Sequence, residues 1–108
     1  MAQKTIKSDI LSVVKKFGIT IKNKFDVSQI ILFGSHATGK THEWSDIDVC
    51  IVSPEFGKNL FLEKLTLDRY ADKISTKIEP TPMHPKTLQD RYNTLATEIR
   101  RYGILIKI

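Results

Sequence analysis

Leu32-Phe33-Gly34-Ser35-His36-Ala37-Thr38-Gly39, followed closely by Ser45-Asp46-Ile47-Asp48-Val49, is the stretch of this 108-residue chain that decides its fold. Gln29 to Phe33 is a nearly continuous apolar run closed by Gly34, which is how a centrally buried strand reads. Ile47 to Val52 is a second such run, ended by Ser53-Pro54. Between them, Ser35 to Ser45 is rich in Gly, Thr, His and Ser and is expected to be an irregular loop held by two rigid strands, the usual place for function.

Working outward, Ile6, Ile10, Val13, Val14 and Phe17 recur at helical spacing, with Lys7, Ser12, Lys15 and Lys16 on the other face. This predicts a first helix that stops at Phe17 before Gly18 or runs on to about Lys22. Leu60, Leu67, Ala71 and Ile74 predict a helix from Asn59 to about Lys73. Ser75 to Met83 is a third strand candidate. Pro80 and Pro82 cannot donate to a ladder, so its regular part is expected to be short, about Thr76 to Glu79, or to lie on an edge. Leu88, Tyr92, Leu95 and Ile99 predict one last helix stopped by Gly103, and Ile104 to Ile108 a terminal strand. The order α-β-β-α-β-α-β implies an α+β fold with a mixed sheet of about four strands and helices packed mainly on one face. No linker or repeat divides it, so residues 1–108 are expected to form one domain.

Apolar residues make up 41% and charged residues 27%, a globular composition. The +5 net charge, from 17 basic and 12 acidic residues, suits phosphate-bearing ligands. It contains no run of like charges that marks a nucleic-acid-binding arm, so nucleic acid is not expected as a specific partner. Cys50 lies in an apolar run and reads as a reduced core thiol. Met1 to Lys4 leads straight into a charged amphipathic segment without a leader-like or membrane-spanning stretch, which predicts a cytoplasmic protein and no membrane.

The chemistry concentrates around the loop. A strand ending in Gly34-Ser35 lets backbone amides approach a phosphate and adds a hydroxyl, although Gly-Ser after a strand is by itself an ordinary turn. Asp46 and Asp48, two apart at the start of a strand, point to one face while Ile47 points to the other. Two adjacent carboxylates leading into a buried strand are unfavourable unless a cation or strong donors compensate, and a turn or cap role is the alternative.

Gly34-Ser35, a ten-residue spacer and Asp46-x-Asp48 together resemble the signature of the DNA polymerase beta-like nucleotidyltransferase superfamily. The local text is similar to its minimal nucleotidyltransferase (MNT) domains, and the likeness runs from about residue 29 to the end, including Glu98-Ile99-Arg100-Arg101-Tyr102-Gly103-Ile104. The resemblance implies a third carboxylate at Glu79, where the family more often has Asp. It implies two Mg²⁺ ions on Asp46, Asp48 and Glu79 and a triphosphate whose tail rests on Gly34 and Ser35; Ser45 is a further nucleotide-binding candidate, and Lys40, with His36, is a candidate phosphate contact. It further implies transfer of a nucleoside monophosphate, AMP from ATP, to an acceptor hydroxyl, in the manner of a protein adenylyltransferase. A role as the antitoxin paired with a HEPN-domain toxin is implied as well. The alternative is a catalytically silent relative that neutralises a toxin by complex formation.

His36, His42 and His84 lack the spacing of a zinc site. Trp44 is expected to pack on the core in preference to stacking on a base. The last strand leaves an edge open to pairing with another chain, hence a homo-oligomer is an open expectation.

Overall fold

The computed structural model describes residues 6–42 and 44–108. Residues 1–5, on which part of the leader expectation rests, lie outside them. The elements are α1 (Ser8–Lys22), β1 (Gln29–Phe33), α2 (Ser35–Thr38), β2 (Ile47–Val52), α3 (Leu60–Asp72), β3 (Ile78–Met83), α4 (Pro85–Leu88), α5 (Thr94–Tyr102) and β4 (Ile104–Leu105).

Among the described residues the sheet has four strands in the order β3-β2-β1-β4. β1 runs antiparallel to both β2 and β4, and β2 runs parallel to β3. This mixed sheet with its helices is the expected α+β architecture. The near-continuous burial of β1 and β2 has a direct cause, since both faces are covered. Ile30, Leu32, Ile47, Val49 and Ile51 pack with Val14, Phe17 and Ile21 of α1 and Leu67 and Ala71 of α3. Ile31, Phe33, Cys50, Val52 and Met83 pack with Leu88, Ala96 and Ile99. The two longest helices thus share one face, and the short α4 and α5 close the other.

Four expectations are corrected or resolved by packing. Helix α1 does not stop at Phe17. It continues through Gly18, where a Cβ would fall 2.0 Å from Ile108 Cδ1 and 2.8 Å from Ile30 Cδ1, so close approach, not termination, explains the glycine. β3 is six residues long with both prolines inside it, an arrangement its outermost position permits. The single last helix is two: His84 Nδ1 accepts from the Lys86 amide to cap α4, and Asn93 Oδ1 accepts from the Ala96 amide to cap α5. Asp90 Oδ1 accepts from the Tyr92 amide between them, which leaves Tyr92 exposed. The terminal strand is two residues long, extended only by an Ile106 amide bond to the Ile30 carbonyl. No described helix is long and apolar enough to cross a membrane.

Candidate active site

β1 ends at Phe33, which lies opposite Asp48 in the ladder, and Asp48 lies opposite Glu79 across the parallel pair. Alternation along β2 and β3 therefore puts Asp48 and Glu79 on the α4–α5 side, in line with Cys50, Val52 and Met83. Gly34 then turns the chain with φ +74° and ψ −152° into α2, so that the expected loop begins with a helical turn. A Cβ on Gly34 would sit 2.2 Å from Asp48 Oδ2. Only a glycine allows backbone this close to that carboxylate.

Ser45 is 6% exposed, and its Oγ accepts a hydrogen bond from the His42 amide at 2.9 Å. His36 Nε2 lies 3.4 Å from the Ser45 carbonyl oxygen. The hydroxyl expected at a nucleotide thus ties the end of the loop in place, and both histidines serve the same turn. Trp44 does not pack on the core: it is 78% exposed, because the turn closed by Ser45 points it outward.

Asp46 is exposed and Asp48 half-buried. The Asp48 carboxyl is held above its ordinary value, first by burial, then by the charges of Asp46, Glu79 and Glu98, with His36 acting in the opposite sense. Glu98 is a member of this cluster that spacing alone does not reveal. It comes from α5, and with Tyr102 one turn later it lines a pocket of about 430 Å³ with Gly34, Thr38 and Lys40. Glu79 is met from α3: Lys64 Nζ lies 2.6 Å from Glu79 Oε1 and 2.9 Å from Asp68 Oδ1. Burial alone would lower the Lys64 ammonium's pKa, but the bonds to Glu79 and Asp68 outweigh it and hold it above its ordinary value. No motif carries Lys64, and Glu98, although it opens the C-terminal stretch that resembles the family, gets no site role from that stretch; only the tertiary placement of α3 and α5 aims the two side chains here.

Carboxylate oxygens are the donor set of a hard cation, and Mg²⁺ characteristically takes one or two carboxylates and completes its shell with phosphates and water. The crowding that raises Asp48 and the Gly34 cradle beside its Oδ2 both fit such an ion. Among the described residues no three His, Cys, Asp or Glu side chains converge as a ready-made metal cage. The fit therefore rests on Asp46 and Asp48, with Glu79 engaged by Lys64.

Residues 14–98 match the model of the nucleotidyltransferase domain family. The chain belongs to that family. Two Methanocaldococcus jannaschii proteins, each named "putative protein adenylyltransferase", are similar to this nucleotidyltransferase domain. One is 39% identical over 67 residues, 62% of this chain and 67% of its own. The other is 30% identical over 102 residues, 89% of this chain and 97% of its own. Among solved structures, one described as a putative nucleotidyltransferase from Sulfolobus solfataricus aligns with a TM-score of 0.68 at 19% identity, over 97% of this chain and 89% of its own. A toxin-antitoxin structure with AMP-PNP aligns with a TM-score of 0.57 at 19% identity, over 90% and 72%. At these identities the likeness is one of fold, and it bears out the α+β nucleotidyltransferase architecture.

Proposed function

We propose that this nucleotidyltransferase domain transfers AMP from ATP to a hydroxyl on a protein, the acceptor being a HEPN-type toxin for which it serves as antitoxin. The observation that carries the reading is the Gly34 backbone seated against Asp48 Oδ2, with Asp46 and Glu79 flanking it. The adenylyltransferase names of two relatives and the AMP-PNP-bound toxin-antitoxin structure support the choice of donor and partner.

The triphosphate rests along Gly34 and Ser35, and the nucleotide enters the pocket bounded by Thr38, Lys40, Glu98 and Tyr102. Lys40 offers its ammonium to the phosphates, and Ser45 keeps the loop in register beneath them. Two Mg²⁺ ions held by Asp46 and Asp48, with Glu79 on one, would supply charge stabilisation at the attacking and leaving oxygens. Glu79 accepts the proton of the acceptor hydroxyl as the new O–P bond forms at the α-phosphorus. The bond to the bridging oxygen breaks, and pyrophosphate departs with its electron pair.

The test is incubation with labelled ATP, Mg²⁺ and the product of the neighbouring gene. Label appears on that protein and is lost with Asp48→Asn. Stable complex formation without label would favour the silent binding module, and label transfer unaffected by Asp48→Asn would remove this site from the reaction.

A further inference from the structure

Glu79 already carries a cation. It is the cross-strand partner of Asp48, yet the carboxylates do not converge into a chelating set, and the contact Glu79 makes is with Lys64. The ammonium is shared: Asp68, one helical turn further along α3, holds it from the other side. An ammonium has several donors on a flexible stem, so it can surrender one carboxylate and keep the other.

The rest of α3 does not share this freedom. Asn59 Oδ1 accepts from the Leu62 amide, and the Glu63 carboxylate accepts from the amides of Gly57 and Asn59, which fixes the first turn. Leu67 and Ala71, fully in the core, fix the helix's rotation. With the helix fixed, passing the ammonium between Glu79 and Asp68 needs only side-chain movement.

We propose that Lys64 is the resident counter-cation of Glu79 and sets the site's affinity for divalent cations. Its ammonium rests on Glu79 when no divalent cation is bound and withdraws to Asp68 when one is. Lys64 thus opposes cation binding, and Asp68 favours it by offering the ammonium a second berth. Lys64 is on this account a positioning residue, acting through Glu79. The inference rests on the reading that Asp46, Asp48 and Glu79 receive the metal.

The experiment is Mn²⁺ binding to the full chain at low ionic strength, without nucleotide or acceptor, followed by the paramagnetic resonance signal of free Mn²⁺. Lys64→Met tightens binding about three- to tenfold, the size expected when a half-exposed unit charge beside a divalent ion is removed. Lys64→Arg stays within about twofold of the native protein, because the charge remains. Asp68→Asn changes affinity in the opposite direction, weakening it about two- to threefold, since the ammonium is left with Glu79 alone. Glu79→Gln and the double variant Lys64→Met/Glu79→Gln bind alike. Unchanged or weaker binding by Lys64→Met, with binding abolished by Asp48→Asn, overturns this inference and leaves the metal reading standing. Binding indifferent to Asp48→Asn overturns both.

Discussion

Asp48 stands on a strand flanked on both sides in the sheet, with the Gly34 backbone pressed against its carboxylate, whereas Glu79 stands on the outermost strand, half exposed and held by an ammonium from α3. The first arrangement is fixed by packing: Phe33, Ile47 and Val49 around it are buried, and the positive-φ turn at Gly34 brings the backbone against the carboxylate. The second is fixed by one ion pair of a kind that contributes on the order of 1 kcal/mol or less. Rigid placement suits a group that must orient a triphosphate, and a labile pair suits a group whose partner changes during the reaction.

The largest effect tests the rigid half. Asp48→Asn preserves volume and removes the negative charge, and it lowers nucleotidyl transfer by more than about 1000-fold, since a directly bound ion supplies several kcal/mol to the transition state. Gly34→Ala comes next. Its Cβ would meet Asp48 Oδ2 at 2.2 Å in a φ +74° conformation, so transfer drops by more than about 100-fold and the fold loses about 1–3 kcal/mol in denaturant titrations. Glu79→Gln, on the labile side, costs about 100-fold or less, the low end for a general base, and leaves stability nearly unchanged. A stability loss at Glu79 as large as at Gly34 would erase the distinction between the two halves.

The same contrast has a pH signature. Because the Asp48 carboxyl is held above its ordinary value by burial and by Asp46, Glu79 and Glu98, the folded chain resists losing that proton more than the unfolded chain does. Asp48 therefore withdraws stability as pH rises from the ordinary aspartate range of about 3.9 through its raised folded value, and no further above that value. Asp48→Asn escapes this. In paired thermal melts without divalent cation, the two proteins match at the acid end, and the variant melts higher by about a few degrees at pH 7. Added Mg²⁺ stabilises the native protein and closes the gap.

How much of this was legible in the sequence follows the same division. The rigid half is written in local signals: apolar runs at Gln29–Phe33 and Ile47–Val52, Gly34 at their junction, and Asp46 and Asp48 two apart on one strand face. The labile half depends on where α3 and α5 fall, so Lys64 and Glu98 are invisible to spacing, and Glu79 is reached only through resemblance. Capping side chains account for the divided last helix. Asn93 and His84 split the last helix because a side-chain oxygen or ring nitrogen at the N-cap outcompetes a continuous apolar periodicity that Tyr92 does not use.

The smallest expected effect marks where the rigid half ends. Ser45 is 6% exposed and bonded to the His42 amide, while its neighbour Trp44 is 78% exposed. Large aromatic side chains contribute about 3–5 kcal/mol when truncated in a core, and surface changes stay within about 0.5 kcal/mol. Trp44→Ala therefore lowers the unfolding free energy from urea titration by no more than that smaller amount, whereas a core-sized loss would move the boundary of the packed region outward to include the loop. Because an exposed indole two residues before Asp46 in the chain has an apolar face to offer, the same variant should be assayed for labelling of the protein acceptor. A fall there with stability unchanged places Trp44 on the acceptor side of the site, and no fall leaves the boundary at Ser45.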